Sequence, residues 1–422
     1  DGAKVLVNTQ GAIDENQSGL TAGQTFFVDK NGDLQLTTNT AQSLGSETEF
    51  TTSASNYVNI VHDSSNNRNV IIYRNGDNSK GEALVGTVSG TSISYGTAVE
   101  FEQGNTEFIA ATFDSNSNKV VIAYRDTGNS GYGTAIVGTV DPSDNSISFG
   151  TAVVFESASV FYVGIAFDSS NNKVVIGYYD NDNSGYGTAV VGTVSGTSIS
   201  FGTAVVFNSA ASDWISTCFD TSNNKVVFAY SDGGGRGIVG TVSGTSISFG
   251  SEATFESNGQ TYIAVDFDNT SEKVLVVANG HGNQGKATVG TVSGTSISFG
   301  TTATWVSTYS GYNDVVFDTE TNKAVIVFRN QGVDNKGKFI LGTISGTDVS
   351  FSGETIFNDA NTEYTTVAFD STNKKVLIGY KDAGDGDDGT VRVLQNANDL
   401  SGSLSTDAVT AGTALSATKL LV

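Results

Sequence analysis

Seven aspartates, Asp63, Asp114, Asp168, Asp220, Asp268, Asp318 and Asp370, recur along the chain at spacings of 48 to 54 residues. A chain with such a period must stack or ring-close copies of one supersecondary unit, because a single copy cannot bury its own apolar face. Each aspartate opens a polar turn such as DSSNNK (168–173), followed by an apolar run such as KVVIGYY (173–179). A Gly-rich loop, a strand-like TAVVGTV (188–194) and a final SISFGTAVVF (198–207) complete the unit. The octapeptide TVSGTSIS stands unchanged at 87–94, 193–200, 241–248 and 291–298. Its Ser-Gly centre between β-rich flanks reads as a tight hairpin turn. Each repeat thus holds four antiparallel strands, and the fold expected is an all-β, seven-bladed β-propeller with four-stranded blades. The competing arrangement is an open stack, but solenoid repeats are shorter as a rule and leave two ends that need caps.

The repeats occupy 46–395, leaving β segments at both ends, 1–45 and 396–422. The seventh repeat shows only three strands, ending with TVRVL (390–394). Residues within 1–45 are therefore expected to supply its fourth strand and close the ring, which would remove an exposed edge. The polar stretch TTNTAQSLGSETEF (37–50) would permit docking onto a neighbouring subunit.

Composition agrees with many short strands and tight turns: 50 Gly, 1 Pro and 38% apolar residues. The net charge of −23 excludes nucleic acid, whose phosphates need clustered Lys and Arg, and disfavours anionic membranes. No apolar stretch approaches the length that inserts in a membrane. Residues 1–9 also lack the charged and apolar regions of a signal peptide. Cys218, the single cysteine, cannot form an internal disulfide.

Catalytic chemistry finds little support, and the expectation is a protein that is not an enzyme. His62 replaces the Phe found before most of the repeated aspartates, and Cys218 precedes a Phe-Asp pair; both read as packing. His281 lies in a loop, HGNQGK, with no neighbouring Cys or His to build a metal site. The aspartates themselves suit Asx turns, accepting backbone N–H bonds from the polar residues that follow. No cofactor motif is present. DNDNSG (180–185) does open like a calcium loop, making Asp180 and Asp182 candidate metal ligands, but Val191 stands where an EF-hand needs its acid.

An aromatic residue precedes every repeated aspartate by six positions: Tyr57, Phe108, Tyr162, Trp214, Tyr262, Tyr312 and Tyr364. Six is even, so an unbroken strand would point aromatic and aspartate to the same side. These rings would encircle the entrance of the central channel, where they can stack on sugars or wedge between blades. A second aromatic follows the aspartate by ten positions: Tyr73, Tyr124, Tyr178, Tyr230, Phe328 and Tyr380, with Ala278 the exception. Polar pairs come next, giving Arg74, Arg125, Asp126, Asp180, Asp232, Arg329 and Asp382 as further candidate ligand-binding residues. Antiparallel order places them on the face of the aromatic ring, a combination that suits carbohydrate recognition.

QSGLTAGQTFFVDKNGDLQLT (17–37) and AGTALSATKLLV (411–422) resemble the two halves of a small β-module in structural and tail-fibre proteins of tailed bacteriophages, especially marine ones. FDSSNNKVVIGYYD (167–180) and VVGTVSGTSISFGTAVVF (190–207) are similar to propeller repeats of phage and marine bacterial surface proteins. The resemblance implies a virion structural protein on a tail fibre or surface appendage, with the propeller inserted between the module halves. Its partners would be other virion proteins, further copies of itself and a host-surface glycan. The alternatives are a secreted or cell-surface lectin-like adhesin of a marine bacterium, and an architectural spacer or capsid decoration without a ligand.

Overall fold

The structure is a computed structural model that describes residues 42–397, together with the backbone of five short strands, Val7–Thr9, Ala12–Asp14, Thr25–Val28, Leu34–Gln35 and Val409–Thr410. The protein is all-β, built from curled antiparallel sheets. Leu44–Leu394 form one compact unit; 1–43 and 395–422 form a second. In the second unit Thr25–Val28 pairs with Val409–Thr410, so segments from both ends of the chain share a sheet.

Within Leu44–Leu394 each repeat is an antiparallel sheet in the order first, second, third, fourth strand. In the second repeat, Thr106–Asp114 pairs with Lys119–Asp126, which pairs with Tyr132–Asp141. The fourth strand comes in two pieces, Ser146–Phe149 and the start of Val153–Asp168, both paired with Tyr132–Asp141. Val153–Asp168 then runs on as the first strand of the third repeat, so one strand serves two sheets. Thr48–Asp63 and Thr355–Asp370 do the same.

Second strands such as Lys173–Asp180 carry unbroken apolar runs because both of their faces are covered; Val174, Val175 and Ile176 are wholly buried. Fourth strands alternate instead, as in Ser198–Phe201, where Ile199 is buried between exposed serines. All seven repeated aspartates end first strands and accept the N–H two residues on, and in most the next one also, as Asp168 Oδ1 does from Ser170 and Asn171. These are Asx turns, and they turn the first strand into the second.

The apolar core lies between repeats. Among the described residues it falls into seven clusters, each shared by two successive repeats. One of them joins the last repeat to the first, packing Ala368, Leu377, Val391 and Val393 against Val58, Ile71, Tyr73 and Leu84. First strands likewise contact one another in sequence, and the seventh contacts the first.

The seventh repeat takes its fourth strand from upstream of the first. Ser43–Leu44 and the start of Thr48–Asp63 pair with Asp388–Gln395, in register Thr48↔Val391 and Glu49↔Thr390. Only the beginning of this strand falls inside 1–45. Within the polar stretch, Ser43–Leu44 and residues 48–50 are thus strand paired to the seventh repeat. Gly45 matches the Gly of SFGTA in other repeats: a Cβ there would run into the Thr91 carbonyl of the first repeat.

One contact recurs in every repeat. The third strand begins with a glycine over which an aromatic ring from the fourth strand lies, as Phe207 lies over Gly187. In all but the fourth repeat, whose successor carries Ala278, the same ring then meets the second-strand aromatic of the following repeat, as Phe207 meets Tyr230 at 5.1 Å between centroids. A Cβ at Gly187 would occupy the ring's place. Gly187→Ala is expected to cost about 2 kcal/mol, the order seen for overpacking. Chemical denaturation checks this, and a neutral result would mean that the Phe207 ring has room to shift.

Candidate functional site

The seven aromatics that precede the aspartates touch in a closed circle. Centroid separations run Tyr57–Phe108 5.6 Å, Phe108–Tyr162 5.3 Å, Tyr162–Trp214 5.1 Å and Trp214–Tyr262 4.4 Å. Tyr262–Tyr312 at 5.2 Å, Tyr312–Tyr364 at 5.0 Å and Tyr364–Tyr57 at 5.1 Å complete it. All seven side chains are half-buried.

All seven also have left-handed backbone, with φ between +48° and +55°. That conformation is uncommon for a bulky residue and costs on the order of 1 kcal/mol or more. Its cause is a β-bulge at the same point of every first strand. In the second repeat Glu107 opposes Arg125 and Ala110 opposes Ala123, so Phe108 and Ile109 together face one residue. The extra residue breaks the two-residue alternation. Aromatic and aspartate therefore do not share a side as an unbroken strand would require; the aspartate is committed to its turn and the aromatic to the circle.

Four cations stand around part of this circle, from the sixth, seventh, first and second repeats: Arg329, Lys381, Arg74 and Arg125. Arg74 lies 5.7 Å from the Tyr57 ring centroid, Arg329 5.6 Å from Tyr312, and Arg125 4.3 Å from Phe161. Two glutamates bridge them. Glu107 meets Arg74 at 3.6 Å and Arg125 at 2.6 Å, while Glu363 meets Arg329 at 3.1 Å and Lys381 at 3.4 Å. The Nε atoms of Arg74, Arg125 and Arg329 have no hydrogen-bond acceptor in the protein. Repeats three to five carry Tyr179, Ser231 and Asn279 at the same position, so the rim has a cationic arc and an arc without these cations, where Asp213 stands across from Ser231. Burial pushes the Tyr262 phenol up to about 12, and those of Tyr57 and Tyr312 higher still. Near neutral pH these phenols keep their protons and can donate.

The other candidate residues are disposed differently. Asp126 and Asp180 are buried caps of short 3-10 turns, accepting from Asn129 N and Asn183 N. Burial raises both carboxyls above their usual range. Asp232 binds Arg236 at 2.8 Å, and Asp382 accepts from Gly384 N at 3.0 Å. These four serve their own loops. The second aromatics, Tyr73 to Tyr380, are buried between repeats and are not part of the face. Tyr124 donates to Glu102 at 2.9 Å and Tyr178 to Glu156 at 2.9 Å, both partly exposed glutamates of fourth strands.

Asp180 and Asp182 gather no third carboxylate or imidazole; among the described residues, the acidic atoms that converge are those of Glu49, Asp385 and Asp388. Cys218 is buried, as its packing predicts. His62 is largely buried but sits among polar partners, Asn69 at 3.1 Å and Thr372 at 3.2 Å. The bridging Glu107 and Glu363 were not anticipated from sequence, because the residue before the aromatic varies freely, as Asn56, Phe161, Asp213, Thr261 and Gly311 show.

No family model matches this chain, and no curated protein matches it.

Proposed function

We propose that Leu44–Leu394 form a seven-bladed β-propeller whose aromatic mouth binds a host-surface glycan, and that the chain is a structural protein of a phage virion, on a tail fibre or similar appendage. The observation that carries the binding reading is the closed circle of seven half-buried aromatics. Seven bulges hold those rings in backbone that costs free energy, and such strain tends to collect at functional sites. Rings offer sugar faces a stacking surface, phenols donate hydrogen bonds, and the cationic arc supplies charged donors in a chain of net charge −23. Seven similar positions favour a repetitive polymer, whose weak contacts combine as avidity.

The propeller reading is supported by the inter-repeat clusters, above all the one between the seventh repeat and the first. The virion reading is supported by the resemblance of 17–37 and 411–422 to halves of a phage module and by the pairing of Thr25–Val28 with Val409–Thr410. On that reading the partners are other virion proteins and further copies of the chain, at the virion surface.

Binding of host-surface polysaccharide, measured with the purified chain and with Trp214→Ala, Tyr262→Ala, tests the site. The double variant is expected to bind at least about tenfold more weakly, about 1.4 kcal/mol. Chelator is expected to change nothing, because the Asp180 carboxylate already caps its own loop. Undiminished binding by the variant would reduce the aromatics to packing, and absence of binding altogether would favour an architectural spacer.

A further inference from the structure

The fifth repeat breaks the pattern where the others are most alike. Ala278 replaces the buried second-strand aromatic, and Gly280 replaces the Asp or Asn found at its position in the other six repeats. A cleft of about 440 Å3 opens at this point, lined by Asn258, Thr261, Asn279, His281 and Tyr309 together with Gly259, Gly280 and Gly282. That volume is within the range of small-molecule sites, roughly 300 to 1,000 Å3. The glycines keep its walls low and leave backbone amides and carbonyls within reach.

Two buried side-chain oxygens, one on a residue that lines the cleft and one beside it, lack a donor in the protein. Asn279 is 5% exposed; its Nδ2 donates to Thr261 Oγ1 at 3.1 Å, and its Oδ1 has no donor. Turning the amide round exchanges the atoms without pairing both. Gln260 is 2% exposed; its Nε2 is held by the Asn258 carbonyl at 2.8 Å, and its Oε1, also without a donor, lies against Gly280. Buried acceptors of this kind are costly unless something donates to them. Tyr309 supplies an apolar wall, and its ring meets Tyr262 of the aromatic circle at 6.3 Å. No Lys, Arg, Asp or Glu lines the cleft, although the chain is strongly acidic. A ligand suited to it is uncharged, rich in hydroxyl donors and flat on one side.

We infer that the cleft between Asn279 and Tyr309 binds one neutral sugar residue, its ring against Tyr309 and its hydroxyls donating to Asn279 Oδ1 and to the surrounding backbone carbonyls. This rests on the reading of the same face as a glycan-binding surface and deepens it: the specific subsite is the irregular fifth repeat, and the symmetric circle supplies the extended, sequence-tolerant contact.

The test titrates the full chain with neutral methyl glycosides and with methyl glucuronide, read by saturation-transfer NMR. Tyr309→Ala and His281→Ala alter half-buried and exposed side chains and are checked for unchanged thermal unfolding; Tyr57→Ala alters the circle on its far side. The expected result is saturable binding of at least one neutral glycoside in preference to the glucuronide, weakened tenfold or more by Tyr309→Ala and unchanged by Val206→Ala, a change of an exposed fourth-strand side chain outside cleft and circle. Loss with Tyr57→Ala but not with Tyr309→Ala would overturn the cleft and leave the circle as the site. No neutral glycoside bound, with polysaccharide binding still lost in Trp214→Ala, Tyr262→Ala, would overturn the cleft alone; failure of both would overturn the glycan reading as well. Binding of N-methylacetamide in place of the glycosides would overturn it in favour of a peptide groove.

Discussion

Phe50→Ala is expected to destabilise the Leu44–Leu394 unit by about 3 kcal/mol, as much as the same change between the first and second repeats. Phe50 lies upstream of the first repeat, yet its ring covers Gly389 at the start of the last third strand. It also meets Tyr73 at 5.1 Å and Tyr95 at 6.3 Å in the first repeat. Phe101 does the same between the first and second repeats, covering Gly81 and meeting Tyr124 at 5.4 Å. Removing a packed phenylalanine leaves a void and costs about 3 to 5 kcal/mol, and the half-buried state of Phe50 puts it at the lower end. Urea unfolding of Phe50→Ala beside Phe101→Ala checks this. Equal losses mean that the seventh and first repeats form an interface as good as any other. A loss below about 1 kcal/mol for Phe50→Ala alone would mean that the array is open and its ends fray independently, as in a linear solenoid.

That comparison also shows where the sequence was legible. The repeat length, the four strands, the Asx turns and the S-G-T hairpins are local, each set by residues close together in the chain. The fourth strand of the seventh repeat was legible too, since GSETEF (45–50) matches GSEATF (250–255), but its polar surroundings disguise it as linker. The bulges were not. Left-handed backbone is ordinarily announced by Gly or Asn, and here Tyr, Phe and Trp adopt it because neighbouring rings and the facing strand hold them. An argument from even spacing fails wherever such a residue is inserted. The second aromatics follow a simpler rule: a strand buried on both faces has no solvent side, so Tyr124 and Tyr178 belong to the inter-repeat core. In the cleft, only Gly280 departs visibly from the pattern, standing where the other repeats carry Asp or Asn.

The double variant Asp266→Asn, Asp314→Asn is expected to be more stable than the natural chain at pH 8, by about 3 kcal/mol, and equal to it near pH 4. Both aspartates lie on first strands, whose inner edges have no strand partner. They accept N–H groups from the next first strand: Asp266 Oδ2 from Phe317 N at 2.9 Å, and Asp314 Oδ2 from Val367 N at 2.9 Å and Thr366 Oγ1 at 3.1 Å. Ser216 does the same without charge, its Oγ accepting from Val265 N at 3.2 Å. Burial among the first strands disfavours the ionised form and outweighs these bonds, pushing Asp266 up to about 7 and Asp314 to about 6. An acid whose folded value is raised contributes stability that is whole below its unfolded value, near 4, and is lost as pH rises through the folded value. The loss therefore falls between about pH 4 and pH 8. Each tenfold change in proton affinity is worth about 1.4 kcal/mol, and partial exposure to water reduces the effect below the full displacement. Asparagine keeps an acceptor for each N–H and cannot ionise, so the variant's stability should be flatter across this window. Unfolding free energies at several pH values decide it: a variant less stable than the natural chain at pH 8 would mean that the ionised carboxylates, as acceptors, bind the first strands together more strongly than their burial drives them apart.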